Sequence, residues 1–145
     1  MIRTARYTEL LDEKSLLVEY AAECSIPELG PFNPQPAIYE AMDKSGMMEC
    51  FAAFHVEQIV GFAVLLTTIL PHYGRKAGTV ESLFVSVASR PLGTGLQLLA
   101  AVEEYARDAG CIVIFYIAPT GSQLERLLMA RKAYRRTNGV FMRVL

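Results

Sequence analysis

The hydrophobic pattern changes its period in the second half of the chain. Apolar and polar side chains alternate over residues 79–87, which predicts a β-strand. From residue 98 to residue 109 the apolar positions recur at helical spacing, which predicts an amphipathic helix. Between them lies Arg90-Pro-Leu-Gly93-Thr-Gly95. A helix entered through glycines has free N–H groups at the positive end of its dipole, so this segment predicts an anion site.

The residues before this segment predict two helices and three strands. The strands are expected at residues 2–7, 47–56 and 59–70, the last two joined by a turn at Glu57-Gln58. One helix is expected from an N-cap at Thr8 to residue 24 and another over residues 37–45, with a proline-rich loop between them. Residues 59–70 are almost wholly apolar, which places that strand mid-sheet.

The residues after the segment predict a strand, a helix and a hairpin. Gly110 ends the amphipathic helix, and residues 111–118 form a buried strand. The intervening helix makes this strand parallel to the strand at 79–87. A last helix begins near Ser122, and Asn138-Gly139 predicts a hairpin over residues 134–145. The fold class is therefore α/β with a mixed sheet, of about seven strands and roughly four helices.

Composition narrows the class of protein. A length of 145 residues fits one domain over residues 1–145, and a net charge of −1 argues against general affinity for nucleic acid or an anionic membrane. The three cysteines are odd in number and sit in apolar sequence, as reduced core thiols do. No transmembrane run or signal peptide is evident, so a cytoplasmic protein is expected.

The distribution of charged residues allows two interpretations, and the spacing of histidines and cysteines argues against a metal site. The first helix is acidic and residues 125–143 are basic, which fits either two solvated faces or an acidic rim for a cationic substrate and a basic side for an anionic cofactor. Neither His55 nor His72 has metal-ligand spacing to a partner, and the cysteines have none either. We therefore expect no metal site.

The order of elements, together with these residues, resembles the GCN5-related N-acetyltransferase (GNAT) superfamily over nearly the whole chain. The family's acyl-CoA motif, Gln/Arg-x-x-Gly-x-Gly/Ala, occurs here from Arg90 to Gly95 and follows Leu83-Phe84-Val85 at the usual distance. The segment from Ile59 to Ala63 resembles the family's third strand. No third glycine completes a dinucleotide fingerprint and no lysine follows as in a P-loop, so competing phosphate motifs fit less well.

The resemblance implies the GNAT acyl-CoA N-acyltransferase fold and acetyl-CoA as cosubstrate. The pantetheine arm would pair with backbone groups of Leu83, Phe84 and Val85. Amides of the turn would hold the diphosphate, from residues Arg90, Pro91, Leu92, Gly93, Thr94, Gly95 and Leu96. Ser122 aligns with an asparagine that precedes the family's catalytic tyrosine, and it is included among the candidate cofactor-binding residues.

The resemblance also implies the chemistry, which is direct transfer of an acetyl group to a primary amine of a small molecule or peptide. Such transfer requires deprotonation of the ammonium, polarisation of the thioester carbonyl and protonation of the leaving thiolate. A backbone N–H on the strand before the turn polarises the carbonyl, here Val85. A glutamate of that strand serves as base through water, here Glu81. The alternative for Glu81 is a solvent-facing or paired residue.

One departure from the family bears on catalysis. Met129 stands where many members carry the tyrosine that acts as general acid, and Ala133-Tyr134 replaces the usual Gly-Phe. Tyr116 and Tyr134 are the nearest replacements by sequence, although either fits a core aromatic. The thiolate could also leave unassisted or through water. The alternative function is an acyl-CoA-binding or interaction protein with little turnover. Exposed strand edges in this fold also allow a homodimer.

Overall fold

A mixed β-sheet forms the centre of the computed structural model, which describes residues 1–145. The strands are β1 (Ile2–Ala5), β2 (Met48–His55), β3 (Gln58–Leu70), β4 (Arg75–Val85) and β5 (Val113–Tyr116). The helices are α1 (Tyr7–Asp12), α2 (Lys14–Cys24), α3 (Pro36–Lys44), α4 (Thr94–Asp108) and α5 (Gln123–Met129). Short 3₁₀ helices span Pro27–Leu29 and Val87–Leu92. None of the helices is both long and apolar enough to cross a bilayer.

The strands lie in the order β1-β2-β3-β4-β5. The first four pair antiparallel, whereas β4 and β5 pair parallel and are connected through α4. Both the mixed sheet and the crossover were predicted from the hydrophobic pattern, and β3 occupies the middle position expected for it. The parallel pair matters for the site, because it joins β4 to the glycine-containing turn and to α4.

Each face of the sheet has its own core. On one face, Leu10 and Leu16 of α1 and α2 pack with Phe62 and Phe84. On the other face, α4 packs against the sheet in a cluster that includes Val85. Because β4 contributes to both cores, the strand that precedes the turn is covered on both sides. This burial fixes the position of the turn relative to the sheet.

The predicted first helix is in fact two helices. The chain leaves helical geometry at Glu13, where φ is −84° and ψ is 66°, and the first N-cap is Arg6 rather than Thr8. Leu10 and Leu16 are six residues apart and would point about 120° away from each other around a continuous helix of 3.6 residues per turn. The break lets both side chains bury against the same face, where they are 1% and 3% exposed.

The sheet has five strands rather than the seven expected, because the C-terminal hairpin does not form. Residues 131–145 contain no helix or strand, and neither Asn138 nor Gly139 has the positive φ that a type I′ turn requires. A turn signal specifies only a local conformation, and a two-stranded hairpin without a packed face is marginally stable in water. The tyrosine at the start of this segment, Tyr134, is held by a hydrogen bond to Glu103.

Several boundaries differ from the predicted ones by a few residues. The turn between β2 and β3 lies at Val56-Glu57, with φ of 56° at Val56. Strand β4 starts four residues earlier than predicted and ends at Val85, because residues 87–92 form the 3₁₀ helix. Strand β5 is shorter than predicted. These differences leave the order of elements unchanged.

The close approach of β3 to β4 at Gly61 gives a first testable prediction. A Cβ at this position would lie 2.9 Å from the Phe84 carbonyl oxygen and 3.1 Å from Val85 Cγ2. We expect Gly61→Ala to lower the free energy of unfolding by about 2 kcal/mol, since two central strands must separate. At Gly95 a Cβ would make only an ordinary 3.8 Å contact. Gly95→Ala should therefore leave thermal stability unchanged or raised, and equal effects of the two substitutions would contradict the prediction.

Candidate active site

A cavity opens where β4 and β5 separate. Their pairing ends at Val80 and Tyr116, after which only one further bond joins them, from the Ile117 N–H to the Val80 carbonyl at 3.3 Å. Residues 81–85 of β4 have no strand on this side, and of these residues 82–85 remain paired to β3. The space beside this free edge has a volume of about 460 Å³ and is closed by α2, the turn and α5.

Alternation along β4 decides which backbone groups face the cavity. The Ser86 N–H donates to Val60 of β3 at 2.8 Å, and the Val85 carbonyl accepts from the Arg90 side chain at 2.9 Å. Backbone groups of an antiparallel strand point to alternate sides. Those of Leu83 and Val85 thus face the cavity. Those of Phe84 face β3, so Phe84 contributes its ring rather than the backbone pairing that was predicted.

The glycine-containing turn borders the cavity at the first turn of α4. Gly93 has φ of 75°, and a Cβ at this position would meet no atom within 4 Å. The Gly93 N–H donates to the Arg90 carbonyl at 3.2 Å, and the Leu96 N–H donates to Gly93 at 3.0 Å. The prediction that the turn presents a row of free N–H groups is therefore wrong for Gly93 and Leu96. What remains is open space beside Gly93 and the positive end of a 15-residue helix.

Two predicted cofactor-binding residues lie outside the cavity. Leu92 is 62% exposed and Thr94 is buried, with its hydroxyl donating to the Ser89 carbonyl at 3.1 Å. Ser122 does line the cavity, and its hydroxyl accepts from the Glu125 N–H at 3.1 Å as the N-cap of α5. Its observed role is therefore structural.

Carboxylates of α2 hold the turn from the opposite side. Arg90 donates through Nη2 to Glu23 at 2.5 Å, through Nε to the Val85 carbonyl, and lies over the Phe84 ring at 5.3 Å. The Val87 N–H donates to Glu19 at 3.1 Å. The acidic face of the first helical region is thus partly an inner surface, facing the turn. The Arg90 side chain thus already donates to the carbonyl of Val85, one of the residues predicted from the family resemblance to pair with a pantetheine arm.

The ion pair between Arg90 and Glu23 yields a second prediction. Freed from Glu23, the guanidinium can turn toward an anion at the helix terminus. For the CoA ligand that the family resemblance predicts, we expect Glu23→Gln to tighten binding by roughly threefold, because the broken pair is partly exposed and worth less than about 1 kcal/mol. The measurement is calorimetry with CoA. Glu28→Gln is the control, since it removes the same charge nearby but no ion pair; equal tightening by both would show a general charge effect.

Glu81 sits at an irregularity of the sheet. Val64 pairs with Ser82 and Leu65 pairs with Val80, so Glu81 has no partner on β3 and forms a β-bulge. A bulge redirects a side chain relative to the regular alternation of a strand. The side chain is exposed and lines the cavity beside the free edge. The predicted base is therefore brought to the same cavity as Val85, the predicted carbonyl-polarising residue.

Sequence reasoning missed half of the twenty residues that line the cavity, including Tyr20 and Cys24. Helical spacing places Tyr20 with the apolar residues of the first predicted helix, yet its ring borders the cavity and meets the Phe84 ring edge to face at 5.6 Å between centroids. Burial, followed by the charge of Glu81, raises the pKa of Tyr20 well above its usual range, so it stays protonated. Cys24 also lines the cavity, and burial raises the pKa of its thiol. The only sequence signal for these two residues was a hydroxyl or thiol group on an otherwise apolar helix face.

Neither Met129, at the position of the family's general acid, nor the two predicted replacements line the cavity. Met129 is 69% exposed and does not line it. Tyr116 and Tyr134 both donate to Glu103 of α4, at 2.8 Å and 2.5 Å, and their rings meet edge to face. Burial and the Glu103 hydrogen bond raise the pKa of Tyr134 to about 12. These tyrosines connect β5 and the C-terminal segment to α4.

No group of three or more histidine, cysteine, aspartate or glutamate side chains is arranged to hold a metal ion. His55 and His72 are both exposed. Cys50 is buried, whereas Cys24 and Cys111 are only partly buried. The expectation of three core thiols therefore holds fully for Cys50 alone.

Comparison with known proteins gives a family and a fold. The sequence pattern of the acetyltransferase (GNAT) family matches residues 15–138 of the chain. This match includes β4, the turn, α4 and every residue that lines the cavity. No curated protein matches the sequence significantly.

Solved structures of acetyltransferases superpose over nearly the full length. Ribosomal-protein-alanine N-acetyltransferase from Brucella melitensis biovar Abortus 2308 has a TM-score of 0.74 at 19% identity, with 99% of each chain covered. Aminoglycoside N-acetyltransferase AAC(6')-Iy in complex with CoA has a TM-score of 0.73 at 18% identity, covering 99% of this chain and 97% of that one. Aminoglycoside acetyltransferase meta-AAC0020 from an uncultured soil metagenomic sample, in complex with sisomicin, has a TM-score of 0.78 at 15% identity. The match covers 100% of this chain and 95% of that one. At these identities the likeness establishes the fold.

Proposed function

Because this chain belongs to the acetyltransferase (GNAT) family, we propose that it moves an acetyl group from acetyl-CoA to a primary amine. One observation carries the proposal. The free edge of β4, the glycine-containing turn and the Glu81 carboxylate all line a single cavity. This arrangement supports the proposal, because one space is bordered by a strand edge that suits an acyl donor, a helix terminus that suits its diphosphate and a carboxylate that suits a base.

The residues present fit acetyl-CoA. Leu83 and Val85 direct backbone groups to the cavity, where they can pair with an extended amide chain as an added strand would. The space beside Gly93 and the N-terminal turn of α4 suit a diphosphate. Arg90 lies in the same cavity and can take up negative charge. When bound, acetyl-CoA supplies an acyl group activated as a thioester.

Two groups of the chain act in the proposed transfer, the Glu81 carboxylate and the Val85 N–H. The Glu81 carboxylate accepts a proton from the incoming ammonium, directly or through a water molecule, so that the amine carries a lone pair. The Val85 N–H faces the cavity and can donate a hydrogen bond to a carbonyl oxygen that gains negative charge. No covalent bond to the protein is needed, and the thiol of Cys24 stays protonated because burial raises its pKa.

A second candidate function is binding of acyl-CoA without efficient turnover. It is favoured by the lack of a proton donor at Met129 and by the position of Tyr116 and Tyr134 outside the cavity lining. Tyr20 is a protonated phenol in the cavity and offers a replacement hydrogen-bond donor for a leaving thiolate. The two functions differ in turnover and not in cofactor binding.

Two measurements test the proposal in order. Calorimetry with CoA should show saturable binding to the purified protein, and its absence would contradict both candidate functions. Release of free thiol from acetyl-CoA in the presence of primary amines should then depend on the amine. Slow release that is the same with and without every amine would favour the binding protein over the transferase.

A further inference from the structure

A second cavity lies on the far side of Glu81, between α3 and strands β3 and β4. From its lining we infer that the acceptor is a small primary monoamine with an apolar body. This inference rests on the proposed function and names the substrate class of the same site. The cavity has a volume of about 310 Å³. Its polar side chains are Asn33, Gln35, Tyr39 and Glu81.

Glu81 is the single residue that lines both cavities. The bulge in β4 makes this arrangement possible, because it frees Glu81 from the strand pairing. An amine in the second cavity can therefore approach the Glu81 carboxylate while an acyl group is held in the first. This junction is where a base must lie if amine and acyl donor enter from opposite sides.

The lining of the second cavity disfavours ligands that carry more than one positive charge. Five of its nine lining residues are hydrophobic, among them Ile38, Met42 and Val64. Glu81 is the only acidic residue in the lining, and no basic residue is present. A single ammonium can be compensated by Glu81, whereas each further ammonium would lose water and find only neutral partners, such as Asn33 and Gln35. An aminoglycoside carries several such groups and is therefore disfavoured.

The rigidity of the lining favours the same class of ligand. The volume of about 310 Å³ has room for an aromatic ring with a short alkyl chain, since a cavity of about 150 Å³ already holds benzene. The Tyr39 ring is stacked on Tyr7 with centroids 3.4 Å apart and planes 7° apart. This stack fixes one wall before any ligand enters. A pre-formed apolar wall favours an apolar body over a hydrated one.

The first experiment compares amines that differ in charge and apolar surface. Their affinity for the CoA-saturated protein is measured by calorimetry, and their kcat/KM by thiol release. We expect 2-phenylethylamine to bind about tenfold or more tightly than 1,4-diaminobutane or sisomicin, because its ring is buried and its one charge is compensated. Equal or tighter binding of sisomicin would overturn the inference.

The second experiment adds a charge to the wall. Ile38 is 57% exposed and lines the cavity, so Ile38→Glu should fold and supply a second carboxylate. We expect the affinity for 1,4-diaminobutane relative to butylamine to rise by roughly threefold. Val18→Glu is the matched control, since Val18 is 69% exposed on α2 and lines neither cavity. A ratio that is unchanged by Ile38→Glu, or equally raised by both, would contradict the inference.

These outcomes are separable from failure of the proposed function. Binding of amines is read without turnover, so a protein that binds CoA but does not release thiol still reports its acceptor preference. If CoA does not bind, the proposed function is wrong. The same amines, titrated into the free protein and into Ile38→Glu, then still decide whether the second cavity selects a monoamine.

Discussion

Gly93→Val is expected to abolish CoA binding while the protein remains folded. Gly93 lines the cavity at the start of α4, and no atom lies within 4 Å of where its Cβ would be, so a valine would occupy the space beside the helix terminus. Loss of two hydrogen bonds to a charged diphosphate, at roughly 1.5–3 kcal/mol each, corresponds to at least about 100-fold in affinity. Calorimetry with CoA measures this loss directly.

Backbone strain must be separated from that steric effect. Gly93 has φ of 75°, so valine there is strained whatever it contacts. Gly110 supplies the matched control, because it lies just past the other end of α4 with φ of 83° and equally open surroundings. Both valine variants should lose about 1–2 kcal/mol of stability. Only Gly93→Val should lose affinity for CoA. If both variants bind CoA equally well, the turn is not the diphosphate site.

Glu81→Gln is expected to lower the rate of acetyl transfer by about 100-fold or more, which is the contribution that a positioned general base makes. The amide is nearly the same size as the carboxylate but cannot accept the ammonium proton. Because Glu81 is exposed and outside the β3–β4 pairing, stability and CoA affinity should stay unchanged. The readouts are thiol release at saturating amine across a range of pH and calorimetry with CoA.

The control for this prediction is Glu104→Gln. Glu104 is exposed on α4 and lines neither cavity, so its substitution removes one negative charge without touching the site. Its transfer rate should equal that of the parent. A rate in Glu81→Gln that also matches the parent, with the same dependence on pH, would remove Glu81 from the mechanism.

The order of elements and the presence of a cavity beside the glycine-containing turn could be predicted because both depend on local patterns. The alternation at residues 79–87, the glycines and the helical period at residues 98–109 lie within one stretch of chain, and a parallel crossover follows from their order. The central position of β3 followed from a wholly apolar run. These signals need no knowledge of which distant residues meet.

What the sequence could not predict depends on distant contacts or on competition between them. Arg90 and Glu23 meet across 67 positions, and their ion pair has no local signature. The break at Glu13 lets Leu10 and Leu16 both be buried, although the helical period alone favoured one continuous helix. The turn signal at Asn138-Gly139 was local and strong, yet the segment lacks the packed face that a hairpin requires.

The hydrogen bond from Arg90 to the Val85 carbonyl has a consequence for solubility and for the energetics of ligand entry. An open strand edge attracts other chains, and a charged side chain placed across it discourages aggregation. The Arg90 side chain thus shields the edge that acetyl-CoA would use under the proposed function. Its entry would exchange one hydrogen bond for another at Val85, so we expect little net affinity to arise there. We expect tight binding to come instead from the anionic end of the ligand, at the N-terminus of α4.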